Sequence, residues 1–388
     1  MNIYHQCGHR FGWNIESLLK DGVGDGLIIG PSNIAQDKIA RLIPTSVLAN
    51  SWMDPQFYMP SVGKGQLATY GFFPAKAPGG FDTNDYGSYA RDMARQCVEF
   101  QAGLGLRHIV VPVRYSEAPR GEALDEASAL FVEPFIDAYK DLGIASPLLL
   151  TVIAKPQHLA PGPEQEELLT WATSFSEIMG VYLIFEHHFA SKQIKDAAYL
   201  LECLSVISEL RANRMEVHVG YVGAEALLFA LARPTSVAMG SYENLRSFDI
   251  GRMRESSAEE VRRAPRARIY SRRLLQSVED TYLPALRDLV GNLDLLFGGS
   301  PYTEVLLKTK LNFQRSEIYK HYFYVLGQQL RNLGATTDPA GHLRGVIGEA
   351  MEEFNHIRDA GVVLDAQSDG SHLAPWLSVV DEYAGHAG

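Results

Sequence analysis

Short apolar runs alternate with longer amphipathic stretches along most of the chain. Gly26-Leu27-Ile28-Ile29-Gly30 and Asn50-Ser51-Trp52-Met53-Asp54 read as the first two strands. Residues 108–113, 148–153, 181–185, 216–220 and 236–240 continue the series. Helical periodicity fills the intervals at 86–104, 124–142, 164–179, 191–212 and 224–232. Strands separated by helices predict parallel α/β structure. Seven good strands and a poor eighth, Arg268-Ile269-Tyr270, predict a TIM-type (β/α)8 barrel. An open doubly wound sheet would place a Gly-rich phosphate turn after its first strand, and Gly30-Pro31-Ser32-Asn33-Ile34 lacks that spacing.

Beyond Val278 the strand pattern stops, and residues 282–296, 317–333 and 343–360 read as helices. The expected organisation is a barrel over 1–290 and a helical extension over 291–388. Residues 365–388 are expected to be only partly ordered, with Trp376 as an anchor. Residues 61–85, rich in Gly and Pro, read as a long loop, a length that often accompanies function.

The composition is that of a globular protein, 46% hydrophobic and 21% charged, with no long uninterrupted apolar run to cross a membrane. Cys7, Cys97 and Cys203 are few and scattered, and Met1 to Gln6 shows no leader pattern, so a cytoplasmic setting is expected. The net charge of −11 excludes a wholly basic nucleic-acid coat. One local exception is the Arg-rich run from Arg252 to Arg273, which also contains Arg254, Arg262, Arg263, Arg266, Arg268 and Arg272. It reads either as a solvated loop or as a phosphate-binding strip.

Barrel enzymes work at the C-terminal ends of their strands. There this sequence places Asp54, Arg114, Lys155, Glu186 with His187 and His188, Tyr221, and Glu243 with Arg246. Asp54, Glu186 and Glu243 are the candidate catalytic carboxylates. Asp54 is ringed by Trp52, Phe57 and Tyr58, a setting that can raise a carboxyl pKa, although Asp before Pro55 also suits a turn. Tyr58, Arg114, Lys155, His187, Tyr221 and Arg246 are the candidate substrate contacts. Gly240 and Ser241, after the last good strand, could let backbone N–H groups approach a phosphate. His5, Cys7 and His9 share one face if extended, but no fourth ligand accompanies them. A structural strand plugging the barrel bottom is the preferred reading there, and no metal or cofactor is expected.

Two segments resemble the tRNA-guanine transglycosylase family. They are Gly220-Tyr221-Val222-Gly223-Ala224-Glu225-Ala226 followed by residues 236–240, and the helix from Ile318 to Leu333 with its run Tyr319-Lys320-His321-Tyr322-Phe323-Tyr324. The resemblance also places Asp54 at an early-strand Asp position. It implies base exchange at a glycosidic bond, with one carboxylate as nucleophile and another as acid/base. The CxCxxC zinc motif of that family is absent, and Gly240 stands near its nucleophile position, with Glu243 close by.

The expected function is therefore carboxylate chemistry on a nucleobase, nucleotide or glycosidic substrate. One alternative is a non-catalytic barrel that binds a partner or a second copy through its C-terminal helices. Another is a lyase using Lys155 as a Schiff-base amine. Small molecules or nucleic acid are the expected ligands, and no membrane is expected.

Overall fold

The computed structural model describes residues 1–81, 86–117, 120–187, 192–253 and 266–386. Eight parallel strands make a barrel: β1 (Asn2–Gln6), β2 (Gly26–Ile29), β3 (Trp52–Met53), β4 (Ile109–Val111), β5 (Leu148–Ala154), β6 (Ile178–Phe185), β7 (Glu216–Val222) and β8 (Ser236–Gly240). Their order is β3-β2-β1-β8-β7-β6-β5-β4, so the sheet wraps round until only the β3–β4 seam lacks strand pairing. The two strands at the seam are short, and residues 54–108 separate them.

The first stave is where the sequence expectation fails. Residues 2–6 do not plug the barrel bottom. They form β1, hydrogen-bonded between β2 and β8, with His5 level with Leu27 on one side and Met239 on the other. The poor eighth candidate, Arg268 to Tyr270, is not a stave at all. It belongs to β9 (Arg268–Ser271), which pairs antiparallel with β10 (Gln276–Glu279) in a separate hairpin.

Side chains alternate across each stave, because successive residues of a strand point to opposite faces. Tyr4, Ile28, Trp52, Val110, Leu149, Tyr182, Ile184 and Ala238 fill the barrel interior. Ile3, Leu27, Ile29, Met53, Ile109, Leu150, Leu183, Val219 and Val237 face the helical layer. Burial on both faces explains why the strands read as continuous apolar runs.

Helices cover the outside at Tyr86–Gly103, Glu133–Asp141, Pro163–Thr173 and Ala197–Ala212. The predicted 124–142 helix is interrupted by a π-turn at Ser128–Val132. The aromatic helix Ser316–Ala335 buries Tyr319, His321, Tyr322 and Phe323. Phe323 stacks on His5 of β1 at 4.2 Å between ring centroids, and Tyr270 of β9 donates to Gln329 Oε1. Order persists beyond Asp365: Leu373–His386 is a helix, and Trp376, fully buried, donates its indole N–H to the Ile194 carbonyl. No helix among the described residues is long and apolar enough to cross a membrane.

One glycine is dictated by packing at the site. A Cβ on Gly220 would lie 2.5–2.8 Å from the Tyr182 ring and hydroxyl. Gly220→Ala is therefore expected to push Tyr182 off its position at a cost of about 1–3 kcal/mol, read by urea denaturation. An unchanged midpoint would mean that Tyr182 has room to move.

Candidate active site

Asp54 follows β3 and points into the barrel, two residues beyond Trp52 on the same face. It is 1% exposed. Oδ2 accepts from Tyr58 Oη at 2.8 Å and Tyr221 Oη at 3.0 Å, with Tyr182 Oη at 3.5 Å. Oδ1 accepts from the Gln56 backbone N–H at 3.0 Å. Burial raises the Asp54 pKa to about 6, against the lowering effect of these donors. The three tyrosine hydroxyls are pushed well above their ordinary range, chiefly by burial, and so remain donors.

The tyrosines come from different parts of the chain. Tyr182 lies in β6, Tyr221 near the end of β7, and Tyr58 in the turn after β3. Gln56 joins them: its Nε2 donates to Tyr221 Oη at 3.2 Å, and its Oε1 accepts from the Ser32 N–H at 3.0 Å. Gln56 and Tyr221 both sit at positive φ, 57° and 55°. For non-glycine residues this backbone is costly, and such strain concentrates at functional sites.

Gln56 and Tyr221 also line a cavity of about 920 Å³ at the C-terminal end of the barrel. It extends between the mouth, the β9–β10 hairpin and the helix Ser316–Ala335, with Tyr242, Phe248, Tyr319 and Tyr322 supplying aromatic surface. Arg10, Lys64, Arg246, Arg252, Arg266 and Arg268 contribute positive charge, against Glu243 and Asp249. A second cavity of about 600 Å³ shares Glu243, Arg246, Asp249 and Arg252, and adds His187 and Lys192.

The predicted residues divide into groups. Tyr221, Glu243 and Arg246 line the larger cavity, and His187 lines the smaller. Tyr58 is buried against Asp54. Asp54 is not itself a lining residue; it lies one layer beneath Tyr221 and Gln56, and Phe248 packs on Tyr58 and Tyr221 at 5.0 and 5.5 Å. Glu186 is buried beside Tyr115, whose hydroxyl donates to it at 2.8 Å. Arg114 pairs with Glu126 at 3.0 Å and sits over the Phe81 ring. Lys155 donates to the Ser116 carbonyl and lies 4.2 Å from the Tyr115 ring centroid. Asp54, Arg114, Glu186 and Glu243 thus do not share one cavity: Glu243 lines both, whereas Arg114, Lys155 and Glu186 line neither. Strand ends around a barrel face several directions, and these three are taken up by partners on neighbouring loops.

The loop after β8 is also built differently from a phosphate cup. Arg246 donates to the carbonyls of Gly240 and Ser241 and lies 3.5 Å from the Tyr322 ring centroid. Ser241 is buried and donates to Asn14 Oδ1. The loop thus holds an arginine at the cavity wall by its carbonyls. Glu243 pairs with Lys192.

In the Arg-rich run, Arg254, Arg262 and Arg263 lie outside the described residues, as does His188. Arg266 and Arg268 pair with Glu279, Arg268 also with Asp365, and Arg273 with Glu349 and Glu353. Among the described residues, His5, Cys7 and His9 do not come together as a group of ligands. His5 faces the helices, Cys7 donates to the His5 carbonyl, and His9 lines the larger cavity.

Sequence reasoning missed Gln56, Tyr182 and Glu225. Tyr182 was reachable, since stepping back by twos from Glu186 marks Ile184 and Tyr182 as inward-facing. Glu225 is buried, accepts from the Gly223 N–H at 2.6 Å, and is raised by burial to about 7.

Fold and mouth together define a TIM-type α/β barrel with a cavity at its C-terminal face. No protein family and no curated protein matches the chain. The expected likeness to tRNA-guanine transglycosylases therefore gains no support, and what stands of it is the barrel. Among solved structures, a β-mannanase from a symbiotic protist of the termite Reticulitermes speratus, complexed with gluco-manno-oligosaccharide, is similar. The match covers 63% of this chain and 81% of that one, at 13% identity and a TM-score of 0.36. A likeness at that level carries no argument about substrate or site.

Proposed function

We propose that the chain is an enzyme that acts at the barrel mouth on an anionic, ring-containing substrate of the nucleotide class, at its glycosidic bond. The observation that carries this reading is the pairing of Asp54 with Tyr221. A buried carboxylate of raised pKa is hydrogen-bonded to a hydroxyl whose residue lines a basic, aromatic cavity. Tyr221 would touch the substrate and exchange a proton with it, while Asp54 would set the charge behind that hydroxyl. Arg246 would meet a phosphate with the part of its guanidinium that the loop carbonyls do not hold, and Tyr242 or Tyr319 a ring face. Glu243 would serve as the second carboxylate at the rim. Glu186, held by the Tyr115 hydroxyl and outside both cavities, takes no part in this reading.

A non-catalytic binding barrel is the second reading, favoured by one fact: Asp54 is sealed beneath Tyr58, Tyr221 and Phe248. The Lys155 lyase reading is weaker, because that amine is engaged by a carbonyl and a ring face.

Calorimetric titration with nucleoside 5′-monophosphates, the matching nucleosides and neutral oligosaccharides separates the substrate classes. Monophosphates are expected to bind at least tenfold more tightly than nucleosides, with affinity falling as salt rises. Binding of neutral oligosaccharides alone would overturn the nucleotide assignment.

A further inference from the structure

At the opposite end of the barrel, two histidines and a glutamate converge on one point. His108 immediately precedes β4, and Glu216 and His218 both project inward from the start of β7. His108 Nε2 lies 3.3 Å and His218 Nε2 3.2 Å from the same oxygen, Glu216 Oε2. All three donor atoms lie within 4.8 Å of one another, and no other such group of three or more His, Cys, Asp or Glu occurs among the described residues.

We propose that His108, Glu216 and His218 form a binding site for a divalent cation of the zinc class, which ties β4 to β7 across the barrel floor. Two ligands about 2.0–2.1 Å from a zinc ion at the tetrahedral angle stand roughly 3.3 Å apart, so both histidine–glutamate separations already suit a shared ion. Two imidazoles and one carboxylate are a donor set for such metals, with water completing the coordination. Both rings are almost wholly buried, while the Glu216 side chain is 39% exposed and leaves a path for the ion.

The surroundings orient the donors. His218 Nδ1 lies 2.8 Å from Ser236 Oγ at the start of β8, which fixes that ring with Nε2 toward Glu216. The Trp52 ring meets His108 and His218 edge-on, at 5.2 and 4.9 Å between centroids. Metal binding needs both Nε2 atoms without protons and Glu216 ionised, so the ion would take the place of the two histidine–glutamate hydrogen bonds. The exposed Arg107 opposes added positive charge, and water screens it.

The location gives the ion a structural role. β3 and β4 are not paired, so β4 is tied to the sheet by β5 alone. Trp52 at the seam packs against both ligand rings. An ion here would fix the loose end of the barrel from within.

The test uses the untagged full chain, stripped with chelator and then titrated with Zn²⁺ or Co²⁺. One equivalent should bind, Co²⁺ should give the visible absorption of a low-coordinate N/O site, and thermal midpoint should rise with Zn²⁺. Glu216→Gln, at a half-exposed position, should fold and lose that equivalent. Ser236→Ala should bind about tenfold more weakly. No saturable equivalent in the wild type, or equal binding by wild type and Glu216→Gln, would overturn the proposal. The wild-type titration stands even if a variant does not fold.

Discussion

Acidification from pH 7.5 to about 4 is expected to lower the stability of this protein by about 4 kcal/mol. His5 and His372 are held neutral with pKa values of about 3, and His321 about 4, in each case chiefly by burial. Between those values and the unfolded value near 6.5, the unfolded chain binds more protons than the native one. Their contribution is therefore complete above about pH 6.5 and is lost as pH falls toward 4. Asp54 and Glu225 act in the opposite sense: raised to about 6 and about 7, they bind protons in the native state first and gain stability on acidification. Each histidine costs roughly 3 kcal/mol by pH 4, and the three outweigh the two carboxylates by about 4 kcal/mol. That is a large part of an ordinary domain stability of about 5–15 kcal/mol. Urea denaturation at pH 7.5, 6, 5 and 4 measures it, and His372→Asn should flatten the slope. A stability that stays level or rises down to pH 4 would show that these rings find protonated states inside the fold.

Asp54→Asn is expected to separate stability from activity. Above pH 6 the wild type keeps an ionised carboxylate in a buried site, and its raised pKa corresponds to about 3 kcal/mol of native-state destabilisation relative to the protonated form. This penalty is absent below about pH 4 and complete above about pH 6. Asn can still accept from Tyr58 and Tyr221 through its carbonyl oxygen, but its NH2 group then meets the Gln56 N–H that Oδ1 accepts from. The relief of the buried charge offsets that lost bond, so the variant should be about as stable as the wild type at pH 7.5. Its activity should fall by about 10²–10⁴, the range for loss of a proton-transfer group. Equal loss of stability and activity would instead make Asp54 a support for the tyrosine cluster.

The residues that spelled the fold and those that hid it differ in physical kind. Strands β4 to β8 are buried on both faces, so local hydrophobicity marks them. β1 was obscured because Ile3-Tyr4-His5-Gln6 carries two buried polar residues whose partners are remote: His5 stacks on Phe323, and Gln6 accepts from Tyr182 Oη. Arg268 to Tyr270 has strand character, but its antiparallel pairing with β10 depends on the return of the chain rather than on its own pattern. The terminal helix is polar enough along Asp381-Glu382 to pass for a tail, and only Trp376 betrayed its docking. The strand-end rule led to Tyr221, Glu243 and Arg246 on the cavity wall and to Asp54 beneath it. It gave no means of telling that Arg114 would turn to Glu126, or that Asp54 would be covered by a tyrosine layer. The His108–Glu216–His218 group was equally hidden, since His108 precedes β4 while Glu216 and His218 lie on β7, three strands away.

In the proposed function, the Asp54–Tyr221 pair works on a ligand in the mouth. The most direct measurement is the pH–rate profile of wild type, Asp54→Asn and Tyr221→Phe with a nucleotide-class substrate, taken alongside ligand affinity for each. The expected result is a wild-type profile with a limb near pH 6, its loss in Asp54→Asn, and a fall of about 10²–10⁴ in turnover for both variants with affinity nearly unchanged. Turnover within a few-fold of wild type in both variants, with the limb intact, would contradict it.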